Sequence, residues 1–438
     1  MTKRIMIGES GGPTPVIDWE VAGALEAAQV AGVELYAMIN GLEGLLNANI
    51  EGNIVDLTPM DPMSFVFNGP GAGLKTTRIK PKKDEYKKIA ENLKVLGVDA
   101  VVYIGGNDSA DQLLGLTEVS DVAVMHAIKT VDNDLPATHH CPGYGSAALY
   151  NATALKNVHS DFSSYRVMAN FLIGGKVVQG LDIAPVVIYQ VMGRKAGWLA
   201  QGTAFARVDP KGDMLPDAAP HVILCKEVPF DKEQFLAKLD DVITRLGQAA
   251  VVVQEDLTDK ATGKSIAEVY ATQVVYDEHG NIQHGRATSF SPAVFLAELV
   301  TGELKVAAVP GSVKDCVLNP QHIQRSCMMS AVDASEAYKV GHASVEALLR
   351  GETKQSVVLE RKAGLTRTSL TDLRNLAGKD RKVPAQYIKG IEGPTQDFID
   401  EFIYLIGGPV ALPHYSKMAF KTVPVTAELA RNPYVRGK

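Results

Sequence analysis

The chain has few cysteines, no long apolar run and no long basic run, and each shortage closes off a class of function. Its four cysteines in 438 residues, Cys141, Cys225, Cys316 and Cys327, form no C-x-x-C pair. Scattered thiols of this kind suit reduced side chains in a cytoplasmic protein, not a disulfide framework. His139-His140-Cys141 groups metal-binding side chains, but no second ligand pair follows at a matching spacing, so no metal site is expected there. No apolar segment approaches the length of a membrane span, and Met1-Thr2-Lys3-Arg4 leads into a strand pattern rather than a signal peptide. The formal net charge of −6 and the lack of long basic runs argue against nucleic acid as a partner. There is no internal repeat and no low-complexity segment.

What is present is an ordinary soluble composition, 46% hydrophobic and 21% charged, in a chain long enough for two domains. Short apolar runs alternate with helical patterns: strands are expected at 4–8, 33–38, 98–104 and 122–127, helices at 16–31, 84–96 and 110–116. A second series follows, with helices at 146–158, 195–204 and 232–246 and strands at 185–191, 221–225 and 249–254. Alternation of this kind marks α/β domains built on mainly parallel sheets. The Pro- and Gly-rich stretch 136–145 is the expected boundary. Asp277-Glu278-His279-Gly280-Asn281 carries hairpin-turn chemistry. From about residue 360 the signal weakens, and 432–438 reads as a frayed tail.

In open α/β sheets ligands bind beyond the carboxyl ends of the strands. The run Val101-Val102-Tyr103-Ile104 ends on Gly105-Gly106-Asn107-Asp108-Ser109 and opens a helix. Paired glycines let backbone N–H groups approach a ligand, and a helix N-terminus favours an anion, so a phosphate is the natural guest. Asp108 puts a fixed negative charge at that very place. A second Gly-Gly turn, Ser10-Gly11-Gly12, follows the first strand. The loop after the 122–127 strand carries Lys129, Asp132 and Asp134. Phosphoryl transfer to a hydroxyl needs a carboxylate to take the proton, positive charge on the transferring group and a metal ligand, and these three supply that chemistry within six residues. Further on, Met192-Gly193-Arg194 closes a strand, and His322 and Arg325 lie three apart, a spacing suited to clasping one phosphate.

As an ordered set these segments, with Gly41-Leu42-Glu43-Gly44-Leu45 and Lys129-Thr130-Val131-Asp132-Asn133-Asp134, resemble the phosphofructokinase family across roughly residues 3–349. The resemblance implies two doubly wound, three-layer α/β domains with the active site in the cleft between them. The first, 1–145 completed by 326–360, is expected to bind the phosphate donor; the second, 146–325 completed by part of 361–431, the sugar phosphate. It further implies transfer of phosphate to the 1-hydroxyl of fructose 6-phosphate, with Mg2+ as cofactor. Asp132 is the expected general base. Thr130, Met192, Gly193, Arg194 and Glu255 are expected to bind the sugar, with His322, Arg325 and Lys314 on its phosphate. Gly11, Arg78, Gly106 and Ser109 are expected to contact the donor, and Asn107 and Asp134 the metal.

Two residues point to pyrophosphate as donor. In ATP-dependent members a glycine normally stands at the position of Asp108; an aspartate there imitates the charge of the nucleotide's α-phosphate. Lys129 resembles the lysine with which pyrophosphate enzymes stabilise the transferring group. The chain departs from the family pattern in Asn107, where an aspartate usually binds Mg2+, in Ser326-Cys327 and in Gly145. Pro185 stands where bacterial ATP enzymes carry an arginine reaching a neighbouring subunit, and Lys314 is the nearest match to their second one. A homodimer or homotetramer is expected, without allosteric control by nucleotides. The alternatives are another acceptor such as sedoheptulose phosphate, ATP as donor, and a catalytically silent subunit.

Overall fold

The computed structural model describes residues 3–67, 71–271, 290–304, 312–325, 328–410, 421, 423–431 and 433–436. In chain order the elements are β1 (Arg4–Glu9), α1 (Ile17–Ala31), β2 (Glu34–Met38), α2 (Gly41–Leu46), β3 (Ile54–Asp56), α3 (Met63–Phe67), α4 (Lys83–Val95), β4 (Ala100–Gly105), α5 (Asn107–Thr117), β5 (Ala123–Ile128) and α6 (Tyr144–Phe162). There follow β6 (Val167–Ile173), β7 (Lys176–Val191), α7 (Trp198–Gly202), β8 (Val222–Leu224), α8 (Lys232–Leu246), β9 (Ala249–Gln254), α9 (Ile266–Tyr270), α10 (Pro292–Glu303) and β10 (Ser312–Leu318). The chain closes with α11 (Ala331–Leu349), β11 (Gln355–Lys362), β12 (Leu365–Asp372), α12 (Gln396–Phe402), α13 (Ala427–Arg431) and β13 (Val435–Arg436).

Two compact units result: residues 1–150, 322–382 and 404–407 form the first, and 151–321, 383–403 and 408–438 the second. Each has its own sheet and core. In the first unit the strand order is β12-β11-β5-β4-β1-β2-β3. The five inner strands pair in parallel, and β3 and β12 close the edges antiparallel. All six residues of β4 are buried, as expected of a central strand covered on both faces. Helix α1 is rich in alanine and stops at Gly32, whose φ of 66° is the left-handed cap glycine tolerates best. It packs on α11 at short range: a Cβ on Gly23 would overlap the Tyr338 carbonyl, and one on Gly341 the Glu20 carbonyl.

In the second unit the order is β13-β6-β7-β9-β8, with β10 also on β7. Helix α8 matches its expected span: Asp231 caps it by accepting from the Gln234 N–H at 3.0 Å, and Gly247 ends it. The second-unit strand expected at 185–191 runs instead from Lys176. Its extra half pairs antiparallel with β6 as a ribbon whose residues 176–179 are exposed, so no buried pattern announces it. The helix expected at 195–204 divides into α7 and a 3-10 turn at Thr203–Arg207. The expected frayed tail needs correction as well. Val435–Arg436 pairs with Asn170 and Phe171 of β6, and Arg436 is held by Asp182 at 2.7 Å. The hairpin signal at 277–281 and Ser326-Cys327 lie outside the described residues. No helix among the described residues is long and apolar enough to cross a membrane.

Candidate active site

Three strands of the first unit, β1, β4 and β5, are parallel neighbours, and each ends in one of the turns singled out above. The β1 turn is tied to its neighbours through main-chain bonds, Ser10 N–H to the Ile104 carbonyl at 2.9 Å and Gly11 N–H to the Thr77 carbonyl at 3.0 Å. The Ser10 and Ser109 hydroxyls touch, joining the β1 and β4 turns. Lys129 N–H donates to the Gly105 carbonyl at 2.8 Å and fixes the β5 turn beside them. His126 lies with Nε2 3.0 Å from that same carbonyl and Nδ1 3.0 Å from the Ser356 hydroxyl. Burial pushes this imidazole down to about 4, so it is neutral near pH 7 and donates from Nε2.

Positive charge gathers on the β1 turn. The Lys129 ammonium is 2% exposed and donates to the Ser10 carbonyl at 2.9 Å and the Gly12 carbonyl at 2.5 Å. Gly12 lets two guanidinium groups come close: a Cβ there would run into Arg325 Nη1, and Arg78 Nη2 is 3.6 Å from the same point. Arg325 Nη2 donates to His322 Nδ1 at 2.8 Å, which leaves the neutral ring its proton on Nε2. Burial and the charges of Arg325 and Arg78 lower the His322 pKa. Burial likewise pushes Lys129 down to about 8, with Glu20 opposing and Arg325 and Arg78 reinforcing.

Three buried acids, Glu9, Asp18 and Glu20, lie outside the residues singled out from the sequence. Glu20 is fully buried, and among the described residues neither carboxyl oxygen has a hydrogen-bond partner; burial holds its pKa well above the usual range. Burial raises both Glu9 and Asp18, Asp18 to about 6. They hold the stretch leading to Arg78: Leu74 N–H donates to Glu9 at 3.0 Å and Gly73 N–H to Asp18 at 2.7 Å. The available signal was acids at 18 and 20 amid the apolar Val16, Ile17 and Val21.

The β4 turn differs from expectation in its partners. Asp108 is 68% exposed in its side chain and pairs with Lys80 at 2.9 Å, a cation the sequence reading did not name. Asn107 Oδ1 accepts from Asp108 N–H at 2.9 Å, while its amide donates to Asp380 at 2.7 Å and the Lys379 carbonyl at 3.2 Å. In the β5 loop Asp132 is half-buried, its N–H donating to Thr130 Oγ1 at 3.1 Å, and Asp134 is buried. Among the described residues no group of three or more His, Cys, Asp or Glu side chains is placed to hold a metal ion.

The first unit thus brings together Gly11, Arg78, Gly106, Asn107, Asp108, Ser109, Lys129, Thr130, Asp132, Asp134, His322 and Arg325. His322 and Arg325, assigned from sequence to the second domain, belong to this unit because Arg325 packs against Gly12. Met192, Gly193, Arg194, Glu255 and Lys314 belong to the second unit. There Gln254 donates to the Gly193 carbonyl at 2.7 Å and the Ala196 carbonyl at 3.1 Å, and so shapes the Met192–Arg194 turn. Arg194 is exposed and Glu255 buried. Lys314 Nζ lies 3.5 Å from the centre of the Tyr165 ring, a cation–π contact.

Comparison with known proteins agrees with this architecture. The family profile described as Phosphofructokinase matches residues 4–176 and 182–348. A Rhodospirillum rubrum protein named pyrophosphate–fructose 6-phosphate 1-phosphotransferase is 32% identical over 417 residues, 92% of this chain and 94% of that one. A Xanthomonas campestris protein of the same name is 31% identical, covering 97% of this chain and 98% of its own. Among solved structures, a pyrophosphate-dependent phosphofructokinase from Nitrosospira multiformis superposes with a TM-score of 0.75 at 26% identity, covering 95% of each chain. Yeast phosphofructokinase from Saccharomyces cerevisiae shares the fold at 19% identity and a TM-score of 0.62, over 85% of this chain and 44% of that one. With two α/β units, parallel central strands and three glycine- or lysine-bearing turns in order, the chain belongs to the phosphofructokinase family.

Proposed function

We propose that the protein transfers a phosphoryl group from pyrophosphate to the 1-hydroxyl of fructose 6-phosphate, giving fructose 1,6-bisphosphate and phosphate, and that the reaction runs in both directions. The observation that carries this reading is the gathering of Lys129, Arg78 and Arg325 on the Gly11–Gly12 turn, with Asp108 at the adjacent helix start. Lys129 and Arg78 suit a small, highly charged donor, with Arg325 beside them for the sugar phosphate, whereas a carboxylate at the helix start disfavours a further phosphate, since like charges brought together cost several kcal/mol. The Rhodospirillum rubrum and Xanthomonas campestris relatives carry names for this same reaction.

In the forward direction Asp132 accepts the proton of the sugar hydroxyl as its oxygen forms the new O–P bond. The P–O bond to the departing phosphate breaks, and Lys129 holds the transferring group's charge. Base assistance of this kind is typically worth about 10²–10⁴-fold, roughly 3–5 kcal/mol. Magnesium belongs to the same reading. Asn107 and Asp134 are hard oxygen donors, and one or two such ligands beside substrate phosphates suit this ion. It would add positive charge on the phosphate oxygens. Thr130, Met192, Gly193, Arg194, Glu255, Lys314, His322 and Arg325 are assigned to the sugar phosphate. We further assign the protein to sugar metabolism in the cytoplasm, as a homo-oligomer; the buried free thiols of Cys141 and Cys225 suit a reducing compartment.

The test supplies purified protein with fructose 6-phosphate, Mg2+ and either pyrophosphate or ATP, and measures fructose bisphosphate. Turnover with pyrophosphate is expected; turnover with ATP alone overturns the donor. Asp132→Ala should lower kcat by about 10²–10⁴-fold. Full activity in that variant removes Asp132 as the base.

A further inference from the structure

Residues 378–381, in the part of the chain where the sequence pattern is weakest, reach two of the catalytic turns at once. On one side the Asn107 amide donates to Asp380 Oδ1 at 2.7 Å and to the Lys379 carbonyl at 3.2 Å, and Gly378 N–H returns to the Asn107 carbonyl at 3.4 Å. On the other, Arg381 N–H donates to the Asp134 carbonyl at 2.6 Å. The Arg381 guanidinium collects three more carbonyls: Asn133 at 2.9 Å, His139 at 3.0 Å and Thr138. The loop after β5 is irregular, with Asn133 at a φ of 53°, so its carbonyls lack the ladder partners a strand would give them. A planar fork of five donors is suited to satisfying several carbonyls together.

We propose that 378–381 is a strap fastening the Asn107–Asp108 turn to the loop carrying Asp132 and Asp134, with Arg381 and Asp380 as positioning residues for phosphoryl transfer. The inference rests on the proposed function, because it assigns the donor to one turn and the base to the other. Each turn follows its own strand, and the strap holds them at one separation. Transfer requires the acceptor oxygen, the base and the donor phosphorus at near-contact distances, and a misplacement of an ångström costs about 10²-fold. The strap also gives a reason for an amide at 107. A carboxylate there would face Asp380 as a like charge; an amide donates to it.

A charge swap tests this. Asn107→Asp should lower kcat with pyrophosphate at saturating substrates, by up to about 10²-fold. It should also speed amide hydrogen exchange in peptides spanning 105–117. Adding Asp380→Asn to it restores an amide–carboxylate pair with the partners reversed and should recover most of both losses. Arg381→Ala should speed exchange in 130–143 and lower kcat while leaving the KM for fructose 6-phosphate unchanged. If Arg381→Ala fails to fold, the swap at the exposed Asp380 still decides. Undiminished kcat in Asn107→Asp, or no recovery in the double variant, overturns the strap. A wild-type protein without pyrophosphate turnover would sink the functional reading instead; the exchange measurements would still read the strap.

Discussion

Lys129 is where burial and chemistry conflict most directly. A lysine ordinarily titrates near 10.4, but burial pushes this one down to about 8. Its ammonium is therefore present below about pH 8 and lost above it, and with it the positive charge offered to the transferring group. The profile of kcat/KM for pyrophosphate, which reports the free enzyme, should fall on an alkaline limb near pH 8. Lys129→Arg should remove that limb, because a guanidinium does not titrate in this range, at a lower plateau set by the altered geometry. A limb unchanged in Lys129→Arg would assign it to another group or to the substrate. Asp108→Gly should weaken pyrophosphate use and admit some ATP, measured as the ratio of the two kcat/KM values; an unchanged ratio would leave Asp108 as a residue that merely complements the helix dipole. Lys80→Ala removes only the cation beside Asp108. The pair is exposed, worth about 0.2–1 kcal/mol, so no more than about a fivefold change is expected.

Among the elements, α1 sets how much of the site can be rigid, since it begins just after the Gly11–Gly12 turn and carries Asp18 and Glu20. Its contact with α11 is at backbone range, and a Cβ on Gly341 would overlap the Glu20 carbonyl. Gly341→Ala should therefore destabilise the first unit by about 1–3 kcal/mol, read as a lowered denaturation midpoint in urea. An unchanged midpoint would mean that the two helices separate without cost. The turns after β1, β4 and β5 were legible in the sequence because each is local: an apolar strand, glycine or lysine, then a helix or loop. Other parts were not, and the reason is separation along the chain. Asn107 meets Asp380 across 273 residues and Arg381 meets Asn133 across 248. No periodicity within a window carries such contacts. The β6–β7 ribbon escaped for a different reason. It is exposed on both faces along much of its length, so the alternation that betrays a half-buried strand is missing.

For the molecule as a whole, two separate cores imply that ligands can stabilise one unit more than the other. The first core is formed around β1, β4 and β5 with α1 and α11, the second around β7, β8 and β9 with α8 and α10. All the residues assigned here to pyrophosphate, Gly11, Arg78, Gly106 and Ser109 with Lys129, fall in the first unit. A ligand that binds only the folded form adds about 2.7 kcal/mol at a hundredfold its dissociation constant. That gain should appear first as slower opening of the backbone nearest the bound anion. Hydrogen exchange in mild urea, with and without pyrophosphate and without any sugar, measures this directly. Peptides spanning 100–116 and 123–135 should gain more protection than peptides spanning 222–254. With fructose 6-phosphate alone, peptides around 186–194 and 249–255 should respond, since Arg194 and Glu255 lie there. Equal protection of both units by pyrophosphate alone would move part of the donor's anchorage into the second unit, and the assignment of Arg194 or Lys314 to the sugar phosphate would then have to change.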